Sequence, residues 1–135
     1  GDAAEGVYDQ LPGYIDERGA EFEDRWMERM GYAASVACES VAYDCALCTI
    51  QMLQDCYEMY GVLDSETIYK FGCEEVQTGN WIFDNSIMQA AYRWESGRLS
   101  PVVGEDAFYY PLGQVQNGEI VTVWPESRAV TNAIF

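Results

Sequence analysis

The most regular hydrophobic pattern in the chain runs from Tyr32 to Tyr60, a stretch with neither glycine nor proline. Cys38, Ala42, Cys45, Thr49, Met52, Cys56 and Met59 recur at alternating steps of four and three, which at 3.6 residues per turn places all seven on one stripe. Ser40, Asp44, Gln51, Gln54, Asp55 and Glu58 fall opposite. The pattern predicts one long amphipathic helix with the thiol-bearing stripe inward, ended by Gly61 as a left-handed cap. Such a helix is roughly 40 Å long, more than the ~26 Å expected across a domain of this size. Either other elements stack along it or a partner chain covers part of the stripe.

Shorter patterns surround it. Residues 20–30 place Phe22, Trp26 and Met30 four apart, with Glu21 and Arg25 spaced to pair across a turn, and Gly31 marks a bend. Asp64 is an N-cap for a short helix over SETIYKF. Ile87, Ala91 and Trp94 predict a further helix from about Asp84 to Ser96, capped by Asp84 or Asn85 and closed by Gly97. Beyond Pro101, Asn117-Gly118 sits between two strand-favouring segments, the strongest short-range hairpin signal. Ile120 to Trp124 is the better strand, and Pro111 consigns the other to an edge. Residues 1–18, with Gly6, Pro12 and Gly13, read as an extended arm whose Tyr8, Leu11, Tyr14 and Ile15 are too apolar for a free tail. The expected fold is therefore mostly α: a helical domain over 19–100 around one central helix. An N-terminal arm (1–18) and a C-terminal β-hairpin or extended arm (101–135) pack on it, and an α+β arrangement is possible.

The composition limits what such a domain can do. The 135 residues hold 49% hydrophobic residues, enough for one packed domain, and no run reaches the ~20 apolar residues of a membrane span. The net charge of −16 rests on 23 acids against one lysine and six arginines. A field of that sign repels phosphate backbones and anionic headgroups, so nucleic acid is excluded as a partner and basic protein surfaces remain. The charge is uneven: residues 81–100 balance Asp84 and Glu95 against Arg93 and Arg98, which makes that stretch the first candidate docking surface. Gly1 at the start is compatible with a removed leader or an added residue, and acidity with several cysteines suits an exported or organelle-lumen protein, the thylakoid lumen included.

There is no histidine. That removes the Ser-His-Asp triad, the Cys-His pair and every imidazole metal site. Cys45 and Cys48 form a C-x-x-C, but in mid-helix they lack the helix-terminal field that activates a thiol, and Asp44 raises the thiol pKa. One zinc ion cannot gather the cysteines of this helix, since Cys38 and Cys56 are ~27 Å apart along the axis. Packing of Cys38, Cys45 and Cys56 as small hydrophobes is the favoured reading, with disulfides from Cys73 back to Cys48 or Cys56 the next. The clusters Asp16-Glu17, Glu23-Asp24 and Glu74-Glu75 lack a calcium-loop pattern and read as solvated. Trp81, Trp94 and Trp124 with Tyr109 and Tyr110 are able to line an apolar-ligand or pigment pocket.

The run YDCALCTIQML, followed by YG and DSETIYKFG, resembles the start of papain-like cysteine peptidases, in which a cysteine opens the central helix. The resemblance implies a histidine partner, which this chain lacks, so an active peptidase of that kind is excluded. The function these observations favour is a non-catalytic, acidic accessory or interaction subunit of a larger assembly, binding no cofactor or metal. The residues expected at its interface are Tyr8, Tyr14, Trp81, Arg93, Arg98, Trp124 and Phe135. A thiol redox protein using Cys45 and Cys48, or a binder of a small apolar ligand, are the alternatives.

Overall fold

The structure, a computed structural model, describes residues 4–10, 13–98 and 100–135. Leu11 and Pro12, assigned above to the arm, lie outside the described residues. The chain folds as two compact units, one of residues 14–109 and one of residues 1–13 with 110–135.

In the larger unit, α1 (Glu17–Met30) starts at Asp16, whose carboxylate accepts from the Arg18 backbone N–H, and ends at Gly31 with φ 76. Phe22 is buried and Trp26 half-buried, as the spacing predicts. Arg25 does not pair with the Glu21 side chain; its Nε donates to the Glu21 carbonyl at 3.2 Å. Gly19 is buried because the Tyr14 ring lies where a β-carbon would project, and the Tyr14 hydroxyl meets Ser40 Oγ at 2.7 Å.

The central helix, α2 (Val41–Tyr60), is entered through a π-helical turn at Val36–Ser40 and capped by Gly61 at φ 72. The helical segment is thus shorter than the glycine-free stretch: Tyr32 to Ser35 are not helical. α3 (Ser65–Phe71) carries a reciprocal cap, with the Thr67 N–H donating to Asp64 Oδ1 at 2.9 Å and the Asp64 N–H donating to Thr67 Oγ1 at 3.1 Å. The chain does not stop at Gly72 but continues through a π-helical turn, Gly72–Val76.

The helix expected over Asp84 to Ser96 is absent. Its place is taken by β2 (Ile82–Phe83) and β3 (Tyr92–Arg93), an antiparallel pair joined by a tight loop. The physical reason is burial: Ser86, Ile87, Met88 and Gln89 are all buried, and four consecutive residues cannot share one helix face. Asp84 and Asn85 cap nothing; their carbonyl and amide oxygens accept from Arg18.

Two apolar clusters form the core of this unit. Phe22, Ala34, Ile87 and Met88 make the first, and Cys56, Phe71, Trp81 and Phe83 the second. Burying aromatic side chains of this size stabilises by about 1.5–3 kcal/mol each, so these clusters dominate the unit's stability.

The smaller unit is a three-stranded antiparallel sheet in the order β1-β4-β5, from β1 (Tyr8–Gln10), β4 (Leu112–Gln116) and β5 (Glu119–Trp124). The Asn117-Gly118 turn has the two positive φ angles its sequence predicts, 56 and 81. Glu5 accepts from both turn N–H groups. β4 is central rather than at an edge: Pro111 lies one residue before it and removes no ladder donor, so β1 pairs on its free side. Buried Gln114 joins the pieces, donating to Gly6 O and Ile134 O and accepting from Ile134 N–H. The architecture is α+β with a long central helix, compatible with the helical reading and with the α+β arrangement it allowed, and the C-terminal hairpin is formed.

Candidate functional site

The faces of α2 are arranged opposite to the hydropathy pattern. Ser40 and Asp44 are completely buried, while Cys38, Ala42, Cys45, Thr49 and Met59 of the expected inner stripe are exposed. Of that stripe only Met52 and Cys56 pack into the core. The reversal has an electrostatic cause. Asp44 accepts from Ser86 Oγ at 2.6 Å, from the Ile87 N–H at 2.8 Å and from the Tyr92 hydroxyl at 2.9 Å. Three donors offset the cost of removing a carboxyl from water, which an apolar count treats as prohibitive. Ser86 Oγ in turn accepts from the N–H groups of Met88 and Gln89, so one side chain of α2 organises the whole β2-β3 loop. Three turns on, Asp55 accepts from Trp81 Nε1 at 2.7 Å and from Gln51.

The apolar residues are thereby left outside. Ala42, Cys45, Ala46, Thr49 and Ile50 are exposed along one face, and Tyr57 continues it. Thr49 is polar only in name here, since its hydroxyl donates back to the Cys45 carbonyl at 2.8 Å. The segment Val36–Tyr60 is long and apolar enough to cross a membrane by length and composition, and only 11% of its most apolar window is buried.

All five thiols are free, so the expected disulfide from Cys73 to Cys48 or Cys56 is not formed. Packing accounts for Cys56 alone; Cys38 and Cys45 are exposed, a correction to the inward ridge. Within the C-x-x-C pair, Cys48 is not an activated thiol. Burial, then the neighbouring Asp44 and Cys45, push the Cys48 thiol up to about 11. A thiol held protonated is a poor nucleophile. We therefore expect iodoacetamide at pH 8 to label Cys38 and Cys45 rapidly and Cys48 slowly, with the Cys48 rate climbing until about pH 11. Rapid Cys48 labelling at neutral pH, read by mass spectrometry, would restore the redox reading. Cys56 at 1% exposure stays unlabelled while the chain is folded.

The expected interface residues separate into three groups. Trp81 is a core residue, stacked on Phe83 at a 6.4 Å centroid distance, and is closed to any partner. Tyr14 is half-buried against Phe22 and Ser40, and Arg93 is engaged by Asp106 at 2.7 Å. Tyr8, Arg98, Trp124 and Phe135 are exposed; Phe135 is fully so, although the residue before it is held by Gln114. Within the balanced stretch 81–100, Ser86, Ile87, Met88 and Gln89 are buried, while Ile82, Asp84, Asn85, Glu95 and Arg98 are exposed. Of the aromatics expected to line a ligand pocket, Trp81 and Trp94 pack in the second cluster. Among the described residues no three Cys, Asp or Glu side chains converge to hold a metal ion. The outward face of α2 was missed because periodicity locates a stripe without saying which side is covered. Comparison of the chain with protein families, with curated proteins and with solved structures finds no match in any of the three.

Proposed function

We propose that the chain is a non-catalytic interaction module that docks the outward face of α2 onto another folded polypeptide. The observation that carries this reading is the apolar surface of Ala42, Cys45, Ala46 and Ile50 on a helix whose other side turns Asp44, Met52 and Cys56 into the core. Contiguous apolar surface of this kind marks interaction sites, and small residues let a partner's backbone come close.

The partner's chemistry follows from the charge. Two copies at −16 each repel, so a self-pair along this face is opposed, whereas an apolar strip rimmed by Lys or Arg is complementary. A lipid occupant is disfavoured by Asp44 and Asp55: withdrawing α2 into a bilayer breaks their bonds to the β2-β3 loop and Trp81 and strands two carboxyls in hydrocarbon.

The test is a photo-crosslinking residue at Ala46 in the full chain in its native cell. Adducts with a polypeptide, lost on Ile50→Arg, support the reading; adducts with lipid alone, or none, overturn it. Ala46→Arg and Ile50→Arg are exposed changes and are expected to alter folding stability by no more than about 0.5 kcal/mol.

A further inference from the structure

Beside α1 lies an open cavity of about 450 Å³, lined by Phe22, Arg25, Trp26, Arg29, Met30 and Tyr43. That volume lies in the range of small-molecule sites. The residues that make it are sorted by helical geometry. Phe22, Arg25, Trp26, Arg29 and Met30 fall on the cavity side of α1, while Glu17, Asp24 and Glu28 point away from its aromatic residues and Glu21 lies one turn from Arg25 at the edge. The cavity thus sets two guanidiniums, Arg25 and Arg29, beside an aromatic floor, the rings of Phe22, Trp26 and Tyr43.

Neither guanidinium meets a carboxylate among the described residues. Arg25 contacts only neutral oxygens, the Glu21 carbonyl and the Tyr43 hydroxyl at 3.3 Å. Arg18, on the same helix, shows the contrast, since it is paired bidentately with Asp16. The floor also holds a donor without an acceptor: Trp26 Nε1 is buried and makes no hydrogen bond. A buried donor left unmade costs roughly 1–3 kcal/mol, a cost that turning the indole toward an acceptor would relieve.

We propose that this cavity binds a small apolar carboxylate, its hydrocarbon or aromatic body on Phe22, Trp26 and Tyr43 and its anionic head on Arg25 and Arg29. Two unpaired guanidiniums one helical turn apart select the anion, and the aromatic floor selects the body. Charge-assisted hydrogen bonds from guanidinium to carboxylate are about twice as strong as neutral ones.

The probe is 2-naphthoate, titrated into the full chain by calorimetry and tryptophan fluorescence, with 2-naphthamide as its neutral twin. The acid is expected to saturate one site, with the amide about tenfold weaker or more. Arg25→Gln and Arg29→Gln are each expected to weaken the acid about tenfold and leave the amide unchanged. Both residues are exposed, and circular dichroism establishes that the variants fold. Ala46→Arg on α2 is expected to leave binding intact. Equal affinity for acid and amide, insensitivity to both arginine changes, loss of binding in Ala46→Arg, or no saturable binding at all would each overturn the assignment.

Discussion

Asp44→Leu is expected to destabilise the larger unit by about 3–5 kcal/mol, even though it makes α2 more apolar and a better helix. Hydropathy alone expects the opposite sign. Removing the carboxyl leaves the Ile87 N–H, the Ser86 hydroxyl and the Tyr92 hydroxyl without their acceptor in a site closed to water. Each buried donor so stranded costs roughly 1–3 kcal/mol. Asp44→Asn keeps one acceptor oxygen and is expected to cost about half as much. Urea unfolding followed by near-ultraviolet circular dichroism measures both, and an Asp44→Leu chain as stable as the parent would show that the polar cluster contributes nothing.

Phe83→Ala is the second large loss, about 3–5 kcal/mol. Phe83 is 1% exposed and lies between Trp81 and Tyr92, with ring centroids 6.4 and 6.0 Å away. Truncation leaves a cavity that β2, tied through Trp81 to Asp55 and through Tyr92 to Asp44, has little freedom to close. Ile82 next to it is 48% exposed, so Ile82→Ala is expected to cost less than about 1 kcal/mol. Because Tyr92 touches both Asp44 and Phe83, Asp44→Asn and Phe83→Leu should be non-additive by about 0.5 kcal/mol or more. Equal losses at positions 82 and 83 would contradict the placement of β2.

These two sites show which parts of the fold local chemistry announces. Asp64 with Thr67, Gly31, Gly61 and Asn117-Gly118 act within a few residues of themselves, and caps and turns of that kind are legible from sequence. The loop 84–91 is not, because its conformation is dictated by Asp44, which lies some forty residues earlier. The same bond misleads the reading of α2, since a carboxyl with three donors behaves as a core residue and its apolar neighbours turn outward. β1 was hidden for a related reason: three residues carry little periodicity, and its partner Gln114 lies far along the chain. The cavity beside α1 was not legible, because the four-residue spacing of Phe22, Trp26 and Met30 marks a face without distinguishing an open groove from a covered one.

The sheet of the smaller unit has a kinetic consequence. The β4-β5 hairpin closes over two residues and forms on the microsecond scale. Its third strand is recruited across a separation of 108 residues, the span between Gly6 and Gln114. As the polypeptide leaves the ribosome, β1 therefore waits, with its ladder unmet, until β4 has been made. An accessory that shields nascent strands would act on Tyr8–Gln10, whose pairing with β4 closes a far longer loop than the β4-β5 turn.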